Sequence, residues 1–174
     1  TYTKLSGTTI SNELICYDIE SWTEVSRKAI PLTTISTDMT WNPADQKVYG
    51  AFYNTTKNGY VFGTLDLETG AVNKLSDITL QDDKGYPAGF VVIAANSIGE
   101  VYGISQMGDL YKFNTEDGSY SLIGATGYTP LYQQSGCFDF TTKQLYWAAC
   151  NENSSGIYQV NTDTGEATLL GSFN

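Results

Sequence analysis

The chain contains no histidine and a single arginine, Arg27. Without an imidazole, Ser-His-Asp and Cys-His catalysis, His-ligated zinc and His general-base chemistry are excluded within it. One guanidinium cannot supply the several that hold a carboxylate in a sialidase-like site, nor an arginine cluster for phosphate. Lys and Arg together number 9 against 19 Asp and Glu, which gives a net charge of −10 with the cations scattered. Nucleic acid and anionic membranes, which require clustered cations, are disfavoured. No Gly-rich phosphate loop or dinucleotide fingerprint occurs, no apolar run reaches transmembrane length, and no stretch has helical periodicity.

Instead the chain carries a repeat. Asp18-Ile-Glu-Ser-Trp22, Asp66-Leu-Glu-Thr-Gly70, Asn114-Thr-Glu-Asp-Gly118 and Asn161-Thr-Asp-Thr-Gly165 start 48, 48 and 47 residues apart (66−18, 114−66, 161−114). A fixed period in the forties is the signature of stacked or radial units, since one unit cannot bury both faces of its sheet alone. The leading Asp or Asn can bond its own backbone two residues on, and the trailing Gly can take positive φ, so the signature reads as a hairpin turn. Leu14, Phe62, Leu110 and Ile157 hold one register position before it, and Tyr17, Leu65, Phe113 and Val160 another. After it come short returning runs rich in Val, Leu, Ile and Thr.

A second landmark lies upstream as Tyr2, Val48-Tyr49-Gly50, Val101-Tyr102-Gly103 and Leu145-Tyr146-Trp147. A further run and turn precede the last three. Each unit is then four antiparallel strands in meander order, and the 17 Gly and 13 Tyr suit many tight turns and half-buried strands. The expected fold class is all-β: a β-propeller-like array of four-stranded antiparallel blades, three whole and a first lacking its inner strand. The blades fall at about 1–30, 35–78, 89–125 and 134–173 of a single domain, 1–174. This is a small ring, or part of a larger one completed by other blades or by a second copy.

Glu20, Glu68, Glu116 and Asp163 recur in the hairpin turns, but one carboxylate per turn is poor calcium ligation, so solvated turns are expected and no metal or cofactor. Cys16, Cys137 and Cys150 have no metal-like spacing. Cys137 and Cys150 sit on adjacent strands and could bridge if the register brought them opposite; the preferred reading is small hydrophobes packed between blades. Asp38 and Asp139, near the innermost strands, are the only candidate carboxylate pair for glycan chemistry, yet they fall four positions apart in register. Capping or bonding neighbouring blades is the preferred role for both.

Ligands of propellers gather at the loops around the channel mouth. The two longest inter-blade connections carry Asp82, Asp83, Tyr86 and Pro87, then Tyr128, Pro130, Tyr132, Gln133 and Gln134; Tyr53, with Asn54, Gln106 and Asn151, comes from loops between second and third strands. Aromatic faces beside amides and carboxylates stack on sugars or anchor a protein partner. The candidate ligand-binding set is therefore Tyr53, Asp82, Asp83, Tyr86, Tyr128, Tyr132, Gln133 and Gln134, with no catalytic residue. The alternative is that the Tyr and Pro side chains pack the loops down. Trp41 and Trp147 read as packing residues between blades.

The segments 41–53, Gly108-Asp-Leu-Tyr-Lys-Phe-Asn114 with Ser121-Leu-Ile-Gly-Ala-Thr-Gly127, and Leu145-Tyr-Trp-Ala-Ala-Cys150 resemble blades of secreted or surface β-propeller proteins of Bacteroidetes, often of the adhesin-like kind. That resemblance implies an extracellular, cell-surface or periplasmic protein with a binding or adhesion role for a glycan or a protein. It supplies no catalytic residues. A non-catalytic binding module is the expected function; a carboxylate-dependent glycan-active enzyme and a structural scaffold are the alternatives.

Overall fold

The computed structural model describes residues 4–8, 13–30, 34–131 and 133–173. Blade 1 is β1 (Lys4–Thr8), β2 (Glu13–Asp18) and β3 (Glu24–Ala29). Blade 2 is β4 (Thr34–Asn42), β5 (Lys47–Asn54), β6 (Gly59–Leu65) and β7 (Val72–Ile78). Blade 3 is β8 (Phe90–Ala95), β9 (Val101–Ser105), β10 (Asp109–Phe113) and β11 (Tyr120–Ala125), and blade 4 is β12 (Ser135–Asp139), β13 (Gln144–Cys150), β14 (Ser155–Val160) and β15 (Ala167–Ser172). Every sheet is an antiparallel meander, of three strands in blade 1 and four in the others. The architecture is that of consecutive propeller blades.

The repeated turns form as their chemistry dictates. The side-chain oxygens of Asp18, Asp66, Asn114 and Asn161 accept from the backbone N–H two residues on, at 3.1, 2.7, 2.9 and 2.8 Å. The fifth residues, Trp22, Gly70, Gly118 and Gly165, have φ of 54°, 75°, 75° and 88°. Glycine is required at three of these turns for a second reason, because each turn seats on the outer strand of the preceding blade. A Cβ on Gly70 would lie 3.0 Å from the Ala29 carbonyl oxygen, one on Gly118 would lie 2.7 Å from Ser76 Oγ, and one on Gly165 would lie 2.5 Å from the Gly124 oxygen.

Gly165→Ala is therefore expected to lower stability by more than the roughly 1–2 kcal/mol of left-handed strain alone. Gly127→Ala serves as the control, since Gly127 has φ of 79° with nothing within 4 Å of its Cβ position. A larger fall in urea midpoint for Gly165→Ala than for Gly127→Ala measures the seat; equal falls would refute it.

Alternation along each strand sends one set of side chains to the preceding blade and the other to the next. Three cores result. Leu14 and Ile30 of blade 1 meet Val48, Phe52, Val61 and Leu65 of blade 2. Tyr49, Ala51 and Phe62 meet Phe90, Ile93, Val101 and Phe113 of blade 3, with Phe62 stacked on Phe113 at 4.0 Å. Tyr102, Ile104 and Leu110 meet Leu145, Trp147, Tyr158 and Val160 of blade 4. Each fully buried side chain of this size contributes about 1.5–3 kcal/mol, so the seams between blades carry much of the stability.

The register of blade 1 differs from the sequence reading. Leu5 pairs with Tyr17 as Val48 pairs with Leu65. The residue matching Tyr49 is thus Ser6, within Lys4-Leu-Ser-Gly-Thr8, and not Tyr2, which lies outside the described residues. The cysteines are unbridged, as the preferred reading had it, and Cys137 departs from the rest of that reading. Cys137 pairs with Tyr146, four residues from Cys150 along β13, about 13 Å at strand rise, too far for a disulfide. All three thiols are free, and Cys137 is exposed rather than packed between blades.

Candidate binding face

In a meander blade, the entry to the inner strand and the turn between second and third strands lie at one end. Segments 79–89 and 126–134 therefore share a face with the turns at 55–58, 106–108 and 151–154. Side chains stitch these loops together. Gln106 Oε1 accepts from Gly89 N–H at 3.1 Å and its Nε2 donates to Tyr60 Oη at 3.4 Å. Asn151 Nδ2 donates to the Thr129 carbonyl at 3.2 Å.

Tyr86 stands at the tip of a braced loop. Gln81 and Pro87 form an isolated bridge, Asp82 N–H donates to the Tyr86 carbonyl at 2.9 Å, and Asp82 Oδ1 accepts from the N–H of Lys84 and of Tyr86 at 2.9 and 2.8 Å. Gly85 makes the turn at φ of 81°. The Tyr86 ring is left 65% exposed, with Asp83 exposed beside it. Asp82 is thus committed to shaping the loop through one oxygen.

Tyr128, in the matching Gly-Tyr pair, turns inward. Its ring meets Trp147 edge-on at 5.4 Å and Tyr158 at 4.9 Å, and its hydroxyl donates to the Ser154 carbonyl at 2.8 Å. Blade 3 has no such seat for Tyr86. Gly103 stands where Trp147 stands in blade 4, and Phe90 already fills the space above it, within 2.7 Å of a Cβ there.

The remaining candidates divide in the same way. Gln134 is buried, and its Nε2 donates to the carbonyls of Leu131 and Cys150. Gln133 is exposed. Tyr53 packs on Tyr60 at 5.0 Å and donates to Asn58. Tyr132 lies outside the described residues. The structure thus brings Tyr86, Asp83 and Gln133 to the surface of this face and uses Tyr128, Gln134 and Asp82 to hold its loops. Tyr60, which pins Gly89 and Gln106, was missed; its signal was a second Tyr across the 55–58 turn from Tyr53.

Trp41 corrects the reading of a buried packing residue. It is 37% exposed and lines a groove of about 330 Å³ with Gln46, Thr64, Asp66 and Asn73. At the same register in blade 4, Phe138 packs on Tyr102 at 5.5 Å, whereas the blade 1 counterpart of Tyr102 is Ser6, too small to cover an indole. Trp147, by contrast, is fully buried.

The carboxylate pair does not assemble. Asp38 sits at a bulge of β4, where Oδ2 accepts from the Ile93 N–H of blade 3 at 2.8 Å and Ser135 Oγ of blade 4 donates to Oδ1 at 3.3 Å. Burial pushes its carboxyl up to about 7, against the opposing pull of these hydrogen bonds. Thr40 and Asn42, next on that face of β4, take the Ala95 N–H and donate to the Gly99 carbonyl. An inner strand is a sheet edge with unpaired backbone groups; Asp38 and Thr40 satisfy two of them on β8, and Asn42 bonds the turn that follows it. Asp139 instead caps the β12–β13 turn, bonding Thr141 N–H and Thr142 Oγ1, bonds that hold its carboxyl below the usual range. Arg27 is engaged by Glu13 and Glu24 on blade 1. Among the described residues no group of three His, Cys, Asp or Glu side chains is placed to hold a metal.

No family model and no curated sequence matches the chain. Solved structures do. A chain of a nidogen/laminin complex superposes with a TM-score of 0.70 at 16% identity, over 98% of this chain and 62% of that one. The major allergen Mala s 1 of Malassezia sympodialis gives 0.62 at 9% identity, over 99% and 62%. Virginiamycin B lyase from Staphylococcus aureus gives 0.52 at 15% identity, over 94% and 49%. The chain thus spans between 49% and 62% of the length of these three. At such identities the likeness establishes the fold alone, and that fold is the β-propeller.

Proposed function

We propose that this chain is a non-catalytic binding or adhesion module acting at the bacterial cell surface, and that it holds an extracellular glycan or protein on its inter-blade loop face. The observation that carries the reading is Tyr86, 65% exposed on a loop already fixed by Asp82. A rigid aromatic loses little entropy on binding and presents a wide amphipathic contact. Asp83 and Gln133 offer polar groups on the same face. A propeller of similar shape occurring in a nidogen/laminin complex supports use of this fold for holding a partner.

The test is a glycan array and a panel of extracellular matrix proteins probed with wild type and with Tyr86→Ala. Specific binding by wild type is expected to fall at least tenfold in the variant with the thermal midpoint unchanged, since an exposed ring supports no core. Binding that survives Tyr86→Ala would remove the site from this loop.

A further inference from the structure

Blade 2 departs from blades 3 and 4 at the end of its sheet that holds the turns 42–46 and 66–70, opposite the loop face. The inner-strand position of Trp41 is taken in blade 3 by Ala95, which is buried, and in blade 4 by Phe138, which packs on Tyr102. The polar positions nearby divide in the same way. Lys112 of blade 3 donates to Glu100 at 2.6 Å, and Gln159 of blade 4 donates to Gln144 at 2.6 Å, so the second and third strands are tied there and their polar groups are engaged. The matching residues of blade 2 are Thr64 and Lys47. A threonine side chain is too short to make that tie, and Lys47 turns to Asp45 instead, at 3.9 Å.

What remains is the groove beside Trp41. The side chains of Gln46, Thr64 and Asn73 line it and make no hydrogen bond to any described residue. Asp66, also in the lining, holds the N–H of Glu68 and of Thr69 through Oδ1, which leaves Oδ2 as an acceptor. The walls are fixed in advance, because they stand on four paired strands, and the Gln46 N–H is tied to the Asn42 carbonyl at 3.0 Å. All of them belong to one whole blade. The blade 1 strand that matches the one covering Phe138 is in place as β1, and Ser6 at the covering position leaves the indole open.

We propose that this groove is a second binding site, for a neutral mono- or disaccharide stacked on the Trp41 indole. A sugar ring lays an apolar C–H face on one aromatic plane while its hydroxyls take amide, hydroxyl and carboxylate partners at the edge. The groove offers that plane together with Gln46, Thr64, Asn73 and Asp66. A quaternary ammonium ligand is held by a cage of several aromatic faces, of which this groove has one. An anionic sugar would meet Asp45, Asp66 and Glu68, with only Lys47, itself drawn to Asp45, to offset them. The volume stands at the lower end of ligand pockets, about 300–1,000 Å³, which suits one or two rings rather than a long chain.

The experiment is saturation-transfer NMR on the 174-residue chain with maltose, cellobiose, lactose, chitobiose and sialyllactose in the millimolar range. Wild type is compared with Trp41→Ala, Asn73→Ala and Tyr86→Ala. At least one of the neutral disaccharides is expected to bind wild type, with affinity at least tenfold lower in Trp41→Ala and severalfold lower in Asn73→Ala. Asn73 is exposed, so its variant keeps the fold. If circular dichroism shows Trp41→Ala to be misfolded, Asn73→Ala decides alone, and unchanged affinity there overturns the site. Tyr86→Ala, at the opposite end of the blades, is expected to leave this binding unchanged, which keeps the outcome apart from that of the loop face. Binding by none of the neutral disaccharides, or by sialyllactose alone, overturns the proposal. So does binding that persists in a folded Trp41→Ala, and so does binding lost in Tyr86→Ala.

Discussion

Asp38→Asn is expected to stabilise the protein at pH 8 by about 2–4 kcal/mol and to leave it nearly unchanged at pH 4. The carboxyl of Asp38 is raised from 3.8 to about 7, chiefly because burial penalises its charge. In the unfolded chain it ionises near the ordinary value, so between about pH 4 and 7 the folded protein binds one proton that the unfolded chain has released. Stability from this group is therefore fully present below pH 4, falls as pH rises to 7, and stays at its minimum above. Three pH units at about 1.4 kcal/mol each set the upper limit. Asparagine accepts the Ile93 N–H with its own carbonyl oxygen and carries no charge, so the slope disappears.

Other carboxylates work the opposite way. Glu100 is held low by Lys112, and Asp66 and Asp139 by backbone and hydroxyl donors in their turns, so stability is lost when they protonate in acid. Those contributions are common to wild type and variant. The difference between the two urea midpoints at pH 4, 6 and 8 isolates Asp38, and parallel profiles would refute the assignment. The same result bears on chemistry: a carboxylate spent on the backbone of one neighbour and the hydroxyl of another is holding three inner strands together.

What could be read from the sequence was what is local. An Asx turn with a positive-φ residue is decided within five positions, so all four repeats of the signature were visible, even where Trp22 replaces glycine. The strand register of blade 1 was misplaced because a tyrosine was matched instead of a pairing partner; Ser6 holds the Tyr49 position with only the flanking Leu5 and Gly7, in place of Val48 and Gly50, to mark it. The fates of Tyr86 and Tyr128 were not legible at all. Both follow a glycine, and their paths diverge because residue 147 is Trp while residue 103 is Gly, a difference about twenty residues downstream that becomes a neighbour only in the fold. Trp41 failed for a related reason, since its cover depended on a side chain in another blade.

Trp147 is the residue at which those non-local effects meet, and its removal should cost the most. It is fully buried, it carries the Tyr128 ring edge-on at 5.4 Å and lies 6.0 Å from Tyr158, and it fills space that a glycine occupies in blades 2 and 3. Trp147→Ala leaves a cavity in the seam between blades 3 and 4 and is expected to cost about 3–5 kcal/mol. Its Nε1 has no hydrogen-bond partner among the described residues, and a buried unsatisfied donor itself costs about 1–3 kcal/mol. Trp147→Phe keeps an aromatic ring in the seat and removes that donor, so the two effects offset. The expected order of urea midpoints is wild type close to Trp147→Phe, with Trp147→Ala far below. Proteolysis provides an independent readout, because Tyr128 loses its seat only in the alanine variant. Cleavage within 126–134 should then rise there and remain at the wild-type rate in Trp147→Phe. Equal losses for Phe and Ala would show that Nε1 is satisfied after all and that packing alone does not explain the residue.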